Sequence, residues 1–198
     1  PENKNVILEE FTGISCQFCP DGHKIAQDLK DLYPNDVFLI NIHTGNYASP
    51  QGSGTDFRTN FGTSISTQAG TCGYPAGTVN RKDFTAQGWN QTSGQAPNFT
   101  CIATTAMSRA NWTQAATQMM NQSSPVNVGI QASVNMSTRV LSVDVEVYYT
   151  GNQTVSSNKL NIAVLQENVP GPQSGGSTYN PSAILADGRY NHKHMLRH

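Results

Sequence analysis

Charge is what this sequence has least of. It holds 12 Lys and Arg and 13 Asp and Glu in 198 residues, 13% of the chain. That is about half of the ~25% usual for soluble domains. The net charge is -1 and no stretch concentrates Lys or Arg, so no basic field exists to draw in nucleic acid. Nucleic acid is therefore not expected as a partner. No apolar run approaches the ~20 residues that span a bilayer, so membrane contact is expected only through a lipid anchor upstream. The chain opens on Pro1 rather than Met and carries no signal peptide, which reads as a mature chain trimmed of its leader. No P-loop, Ser-His-Asp spacing or paired carboxylate set occurs, and no cofactor is implied.

What fills the chain instead is Asn, Gln, Ser and Thr, with 36% hydrophobic residues. The surface is expected to be polar but weakly charged. The length suits one large domain or two small ones with a real core. Six N-x-S/T sequons occur, at Asn90, Asn98, Asn111, Asn121, Asn135 and Asn152. A chain this rich in Asn, Ser and Thr gives roughly three or four by chance, so they argue little for glycosylation. Four cysteines, Cys16, Cys19, Cys72 and Cys101, make an even count compatible with an oxidising compartment.

Asn5–Phe11 reads as a buried strand. A helix follows, with Pro20 and Asp21 suited to its first turn and Ile25, Leu29 and Leu32 forming an apolar stripe. Val37–Ile42 is a second strand, so the unit is β-α-β with parallel strands. Residues 44–70 turn to Gly, Ser, Thr and Asn and read as an insertion, with one or two helical turns within Asp56–Gln68. Ala76–Arg81 is a further strand, 82–99 a polar loop, and Phe99–Ala106 a candidate strand. Ser108 can cap a helix over Arg109–Asn121. After Ser124-Pro125 the pattern changes. Val126, Val128, Ile130, Ala132 and Val134 alternate, as do Leu141, Val143, Val145, Val147 and Tyr149, so an antiparallel, half-buried sheet is expected. Lys159–Gln166 would add a third strand, and Tyr190, His192, His194 and Leu196 a fourth. The expected layout is an α/β domain over 1–123 and an all-β, sandwich-like region over 124–198. Three or four strands make a poor sandwich alone. Packing on the first domain, pairing with another chain, or continuation past His198 would each complete it.

Chemistry concentrates in Glu9-Glu-Phe-Thr-Gly-Ile-Ser-Cys-Gln-Phe-Cys-Pro-Asp-Gly-His23. A thiol is nucleophilic only as the thiolate, and a C-x-x-C at a helix N-terminus lowers the thiol pKa. Cys19, one turn on from Cys16, can close a disulfide with it. His23 lies on the same helical stripe as both cysteines. Cys16, Cys19 and His23 could thus hold a thiophilic metal such as Cu(I), or His23 could be a packing or capping residue. His192 and His194 share a strand face and form a weaker metal candidate. Cys72 and Cys101 lack C-x-x-C partners. Paired, they would close a loop of about 30 residues and contribute ~3.5 kcal/mol in the chain-entropy model. A relay with the first pair, or two buried free thiols, are the alternatives. Tyr47, Phe57, Phe61, Trp89 and Trp112 either pack the core or line a groove by the insertion.

The strand-placed C-x-x-C and the downstream Thr71-Cys-Gly-Tyr-Pro-Ala-Gly-Thr-Val79 together resemble the thioredoxin superfamily, in which a cis-proline loop faces the cysteine pair. The resemblance implies that Tyr74 and Pro75 hold a substrate strand, with Phe18 beside them. Glu10, six positions before Cys16 and followed by Phe11, matches the buried carboxyl that relays protons to the second cysteine. Such a carboxyl should have a raised pKa, unless Glu10 faces outward. A closer resemblance joins Glu9–His23, His43, Gly73–Arg81 and Asn191–Arg197. It is to the twenty-eight-kilodalton outer-membrane protein family of Gram-negative anaerobes, which are cell-envelope lipoproteins with a thioredoxin-like N-terminal domain and a β-rich C-terminal part. It implies an envelope location, outer-membrane-associated or secreted, with partners that are protein thiols and disulfides or another envelope protein.

Three functions follow as expectations. The first is thiol–disulfide exchange, with Cys16 attacking, Cys19 resolving and Glu10 moving the proton. The second is a non-enzymatic binding or adhesion module in which Cys16–Cys19 is a fixed disulfide. The third is Cu(I) handling.

Overall fold

The computed structural model describes residues 2–52, 54–92, 101–152 and 157–198. Its centre is a six-stranded mixed sheet in the order β4-β3-β1-β2-β10-β7. These strands are β1 (Val6–Thr12), β2 (Val37–His43), β3 (Ala76–Val79), β4 (Met107–Ser108), β7 (Leu165–Gln166) and β10 (Met195–Leu196). The first two run parallel in the register Val6↔Val37 to Thr12↔His43. Helix α1 (Cys19–Leu32) connects them, and β3 pairs antiparallel on the other side of β1. This arrangement is compatible with the thioredoxin-like domain expected for the N-terminal part.

The alternation in Val6-Ile-Leu-Glu-Glu-Phe-Thr12 decides what lies where. Successive side chains on a strand point to opposite faces. Val6 and Leu8 therefore pack with Val37, Leu39 and Val79 against Ala26 and Leu29 of α1. Helix α3 (Trp112–Met120) lies against the same core through Trp112, Ala115, Ala116 and Met119. Phe11 points the other way and joins Ile42, Ala76, Ala103, Ala106 and Leu196. Ala69 of helix α2 (Asn60–Ala69) belongs to that second cluster. Glu10 and Thr12 share the parity of Val6 and Leu8. The polar residues thus come last on the helix-facing side, at the carboxyl end of β1.

Several expected elements shift. The buried stripe of α1 is Cys19, Gly22, His23, Ala26 and Leu29, so Leu32 is exposed. The insertion carries a ten-residue helix rather than a turn or two. Thr59 Oγ1 accepts the Gly62 N–H at 2.9 Å at its start, and Gly70 closes it in the left-handed region at φ 67°. These are standard stop and start devices. The strand expected within Phe99–Ala106 is not formed by its described residues, and Phe99 itself lies outside them; β4 begins only at Met107. A short 3-10 turn at Arg109–Asn111 precedes α3, and the Ser108 side chain makes no cap bond.

The C-terminal half departs furthest from expectation. Strands β5 (Val126–Asn135) and β6 (Val140–Tyr149) form a hairpin, paired from Val126↔Tyr149 to Asn135↔Val140. Asn135 Oδ1 accepts the Ser137 and Thr138 N–H groups across the turn. Among the described residues this sheet has two strands, and its apolar face is exposed instead of half-buried, with Ile130 at 67%. Within the expected third strand Leu165–Gln166 pairs with β10, and Val164 bonds to Arg197 and His198 just beyond it. The expected fourth strand is broken at His194, whose φ is 53°. Its first half, β9 (Tyr190–His192), pairs with β8 (Val169–Gly171). Its second half, β10, places Met195 beside Asn41 of β2. The described residues of the expected sandwich region therefore form two-stranded ladders, and the last of them joins the central sheet. A one-turn helix, α4 (Gly176–Tyr179), lies against α1.

The two kinds of apolar residue should respond differently to truncation. Leu8→Ala is expected to cost ~2–5 kcal/mol through the cavity it leaves. Ile130→Thr, on the exposed hairpin, should stay within about 0.5 kcal/mol. Urea unfolding of the two variants beside the parent checks both.

Candidate functional site

The carboxyl ends of β1 and β2 and the N-terminus of α1 meet at one place. Cys16 and Cys19 form a disulfide there with a Cα separation of 5.4 Å. Cys19 is the first residue of α1 and Phe18 is its N-cap; Pro20 follows and Asp21 lies in the first turn. Asp21 pairs with Arg109 from the 3-10 turn before α3. Both cysteines are buried, and Cys16 is only 3% exposed.

Glu10 lies beneath this turn, fully buried, and neither of its carboxyl oxygens has a hydrogen-bond partner among the described residues. Burial pushes its pKa well above the usual carboxylate range, an effect that the nearby Arg109 charge partly offsets. Gly22 makes room for it. A Cβ at Gly22 would stand 2.6 Å from Glu10 Oε1 and 3.2 Å from both Pro75 Cβ and Trp112 Cη2. The glycine in the C-x-x-C-P-x-G-H run is thus a place where carboxyl, proline loop and core tryptophan converge on the helix. Gly22 is three residues on from Cys19, and residues at that spacing are neighbours on a helix face. The Tyr74-Pro75 peptide bond is cis.

Glu9 does not take the exposed position its opposite parity allows. It is buried too, and Arg81 Nε donates to its Oε2 at 2.8 Å. Asn80 pins the start of β1 by accepting the Ile7 N–H at 2.6 Å and donating to the Asn5 carbonyl at 2.9 Å. Both Asn80 and Arg81 have positive φ, 50° and 48°. The Asn-Arg of the Gly73–Arg81 stretch thus holds the strand that carries Glu10.

His23 is a buried hinge between elements rather than a cap. Its Nε2 is 2.9 Å from Thr12 Oγ1 and 3.7 Å from Glu10 Oε1, and its Nδ1 is 2.9 Å from the Tyr190 hydroxyl. Asn180 Nδ2 donates to the same hydroxyl at 2.9 Å. Burial, and then the neighbouring His192, lower the His23 pKa to about 3. His192 is held at about 4, chiefly by burial, while its Nε2 contacts the Pro172 carbonyl at 3.2 Å. His43 is a third buried imidazole, its ring 5.1 Å from that of His192, and it too is pushed well below its ordinary range by burial. Sequence reasoning placed Thr12 and His43 only within the family resemblance, without a role, and gave Asn180 and Tyr190 no part in a site. Only tertiary packing brings residues so far apart in sequence to one point. The single available sign was Gly22, a glycine inside a helix pattern.

Other candidates separate. His192 points into the imidazole cluster, whereas His194 pairs with Glu167 and meets Gln27, so they form no joint site. Both His23 nitrogens face protein partners. Among the described residues, no group of three His, Cys, Asp or Glu is arranged to hold a metal ion. Cys72 and Cys101 are joined in a second disulfide, Cα 5.8 Å apart. Phe18 is 45% exposed and packs on Tyr179. Tyr74 lies instead against Tyr47. Trp112 and Phe57 are core residues, while Tyr47 and Phe61 are exposed, so the aromatics line no single groove.

A strap covers the cysteine loop. Gln173 Nε2 donates to the Gly13 and Cys16 carbonyls at 3.1 and 3.0 Å, and the Ser174 N–H donates to Ile14 O at 2.8 Å. Gly175, at φ 73°, leaves no space for a Cβ against the Gln17 carbonyl. On the opposite flank Ser15 N–H donates to Tyr47 O at 2.9 Å.

The packing predicts one effect of volume and two of pH. Gly22→Ala should destabilise by ~1–3 kcal/mol by overpacking Glu10 and Trp112, read by urea unfolding. The other two concern pH. His192 ionises near 4 when folded and near its ordinary 6.5 when unfolded. Between those values the unfolded chain binds more protons, so stability rises with pH up to about 6.5. His192→Gln should flatten that rise by up to ~1.4 kcal/mol per pH unit. Glu10 acts with the opposite sign. Its folded pKa lies above the ordinary 4.5, so its stability contribution is lost as pH rises from there. Glu10→Gln should stabilise the fold at neutral pH relative to pH 4.

No protein-family model and no curated protein matches the sequence. Two solved structures share the fold. HBP35 of Porphyromonas gingivalis superposes with a TM-score of 0.54 at 18% identity, over 99% of this chain and 56% of that one. Protein AGR_C_4864 of Agrobacterium tumefaciens superposes with a TM-score of 0.56 at 12% identity, over 100% of this chain and 72% of that one. The chain thus spans just over half the length of HBP35. At these identities the likeness is one of fold, and it covers the chain from end to end.

Proposed function

We propose that this chain is a thioredoxin-like protein of the cell envelope that exchanges thiols and disulfides through Cys16 and Cys19. The observation that carries this reading is Glu10. A fully buried carboxyl without a hydrogen-bond partner among the described residues is costly to keep. Its place against the first turn of α1 suits a proton donor and acceptor for Cys19.

In this reading a thiolate of the partner attacks Cys16 Sγ. The Cys16–Cys19 bond breaks, a mixed disulfide with Cys16 forms, and the Cys19 sulfur leaves with the electron pair. Glu10, kept neutral by burial, gives that sulfur its proton. The partner's second thiol loses its proton to water and attacks its own sulfur in the mixed disulfide, releasing Cys16 as a thiolate. Two electrons pass from the partner to the pair, and the reverse sequence returns them. Cys16 is stabilised as a thiolate by the N-terminus of α1. Tyr74 and Pro75 are the proposed contacts for the partner's extended chain, with Phe18 at the exposed rim.

A second reading has one observation in its favour. With Cys16 at 3% exposure and its carbonyl bonded by Gln173, the pair is covered as a structural disulfide would be. The chain would then be a binding module. The exchange reading instead requires the 173–175 strap to move before attack.

The reduction potential of Cys16–Cys19, with insulin reduction beside it, separates the two. Exchange predicts a potential above about −300 mV and turnover that is lost in Cys16→Ser. A lower potential without turnover assigns the disulfide a structural role. Loosening the strap is a separate check. Gln173→Ala removes hydrogen bonds worth ~1 kcal/mol and should speed reduction of the pair by dithiothreitol about fivefold.

A further inference from the structure

A cavity of about 210 Å³ opens beside α1, lined by His23, Asn180, Tyr190 and His192, with Lys24 and Asp28 at its edge. It reaches the one histidine that also touches the buried carboxyl's neighbourhood. Glu10 itself does not line the cavity; His23 does, and its Nε2 stands 3.7 Å from Glu10 Oε1. We infer that Tyr190 and His23 form a proton path from this cavity to Glu10, through which the carboxyl beneath Cys19 is recharged.

The geometry gives each atom a task. Asn180 donates to the Tyr190 oxygen, which leaves the Tyr190 O–H free to donate to His23 Nδ1 at 2.9 Å. His23 is then the Nε2–H tautomer, with that hydrogen toward Thr12 Oγ1 at 2.9 Å and Glu10 Oε1 at 3.7 Å. The second distance is about 0.5 Å beyond hydrogen-bond range, so a small side-chain shift completes the contact. When Glu10 has given its proton to Cys19, His23 Nε2–H protonates the carboxylate. Nδ1 takes the Tyr190 proton in the same movement, and the tyrosine is reprotonated by cavity water. No charge rests on the ring, as its buried surroundings demand. Closing the disulfide runs the path backward and restores the starting tautomer. The titratable and charged groups around this path are Arg109 with Asp21 on the Glu10 side, His192 and His43 beside His23, and Lys24 and Asp28 at the cavity edge. Tyr190 is kept un-ionised, its pKa raised chiefly by burial, so it passes a proton without becoming an anion.

The purpose of this path rests on the exchange reading above, but its existence does not. The test is therefore made in the resting disulfide form, where the carboxyl exchanges through the minor Nδ1–H tautomer of His23: Glu10 gives its proton to Nε2, Nδ1–H passes to Tyr190 and the tyrosine proton to water, and the forward path returns a deuteron. The Glu10 carboxyl C=O stretch is identified in the infrared spectrum by its absence in Glu10→Gln, and its deuteration is followed after transfer to heavy water. Tyr190→Phe keeps the ring and removes the hydroxyl, and it should slow deuteration about a hundredfold. His23→Gln should slow it similarly, and added imidazoles should restore the rate in an order set by their basicity. A merely structural His23 would give no such order. Wild-type deuteration in either variant overturns the path. Slowed deuteration in both, with no insulin reduction by the parent protein, leaves the path standing and removes only the exchange reading.

Discussion

A carboxyl without water governs the arrangement of this protein. Glu10 follows the apolar Val6 and Leu8 on the helix-facing side of β1, and no hydrogen bond among the described residues reaches its oxygens. Keeping it neutral is cheaper than keeping it charged in such a place. That requirement propagates outward. Gly22 leaves space for the carboxyl, Trp112 and Pro75 close around it, and His23 stands beside it without a charge of its own. Arg109 faces it from across the site but has Asp21 as its direct partner.

The same polar pocket explains why distant parts of the chain come together. His23 on α1 needs partners for both ring nitrogens, and it finds Thr12 on β1 and Tyr190 on β9. Buried donors and acceptors that are left unpaired cost about 1–3 kcal/mol each, so this pairing helps dock the C-terminal segment. β10 then completes the tie by lying parallel to β2. The strap over the cysteine loop belongs to the same returning segment. The C-terminal stretch is in this way part of the site rather than an appendage to it. The β5–β6 hairpin is the exception, since it holds its register through its own ladder while its apolar face stays in solvent.

Much of the first half was legible because its signals are local. Strand β1, helix α1 and strand β2 follow from runs of apolar residues and from Pro20 and Asp21 at the helix start. The alternation of Val126–Val134 and Leu141–Tyr149 likewise specifies the hairpin and its register, since a one-residue slip would invert every side chain. The same alternation misled over burial. Period-2 patterning says that one face of a strand is apolar, and it carries no information about what lies against that face. The stripe of α1 was misjudged for a related reason. Leu32 looks like a core residue by type, but the helix is oriented by Cys19, Gly22 and His23, which answer to the polar pocket.

By itself, then, the sequence determined the β-α-β order, the Cys16–Cys19 spacing at a helix start, the hairpin register and a net charge close to zero. Each depends on neighbours within a few residues, or on a sum over the whole chain. The tertiary structure alone decided that Glu9 is buried with Arg81, that Glu10 is cut off from water, that His23 joins Thr12 to Tyr190, and that His192 and His194 part company at a left-handed residue. Those outcomes turn on contacts between residues up to 167 positions apart. Desolvation, which sets the charge state of every group in the site, is a property of such contacts and has no local sequence signal.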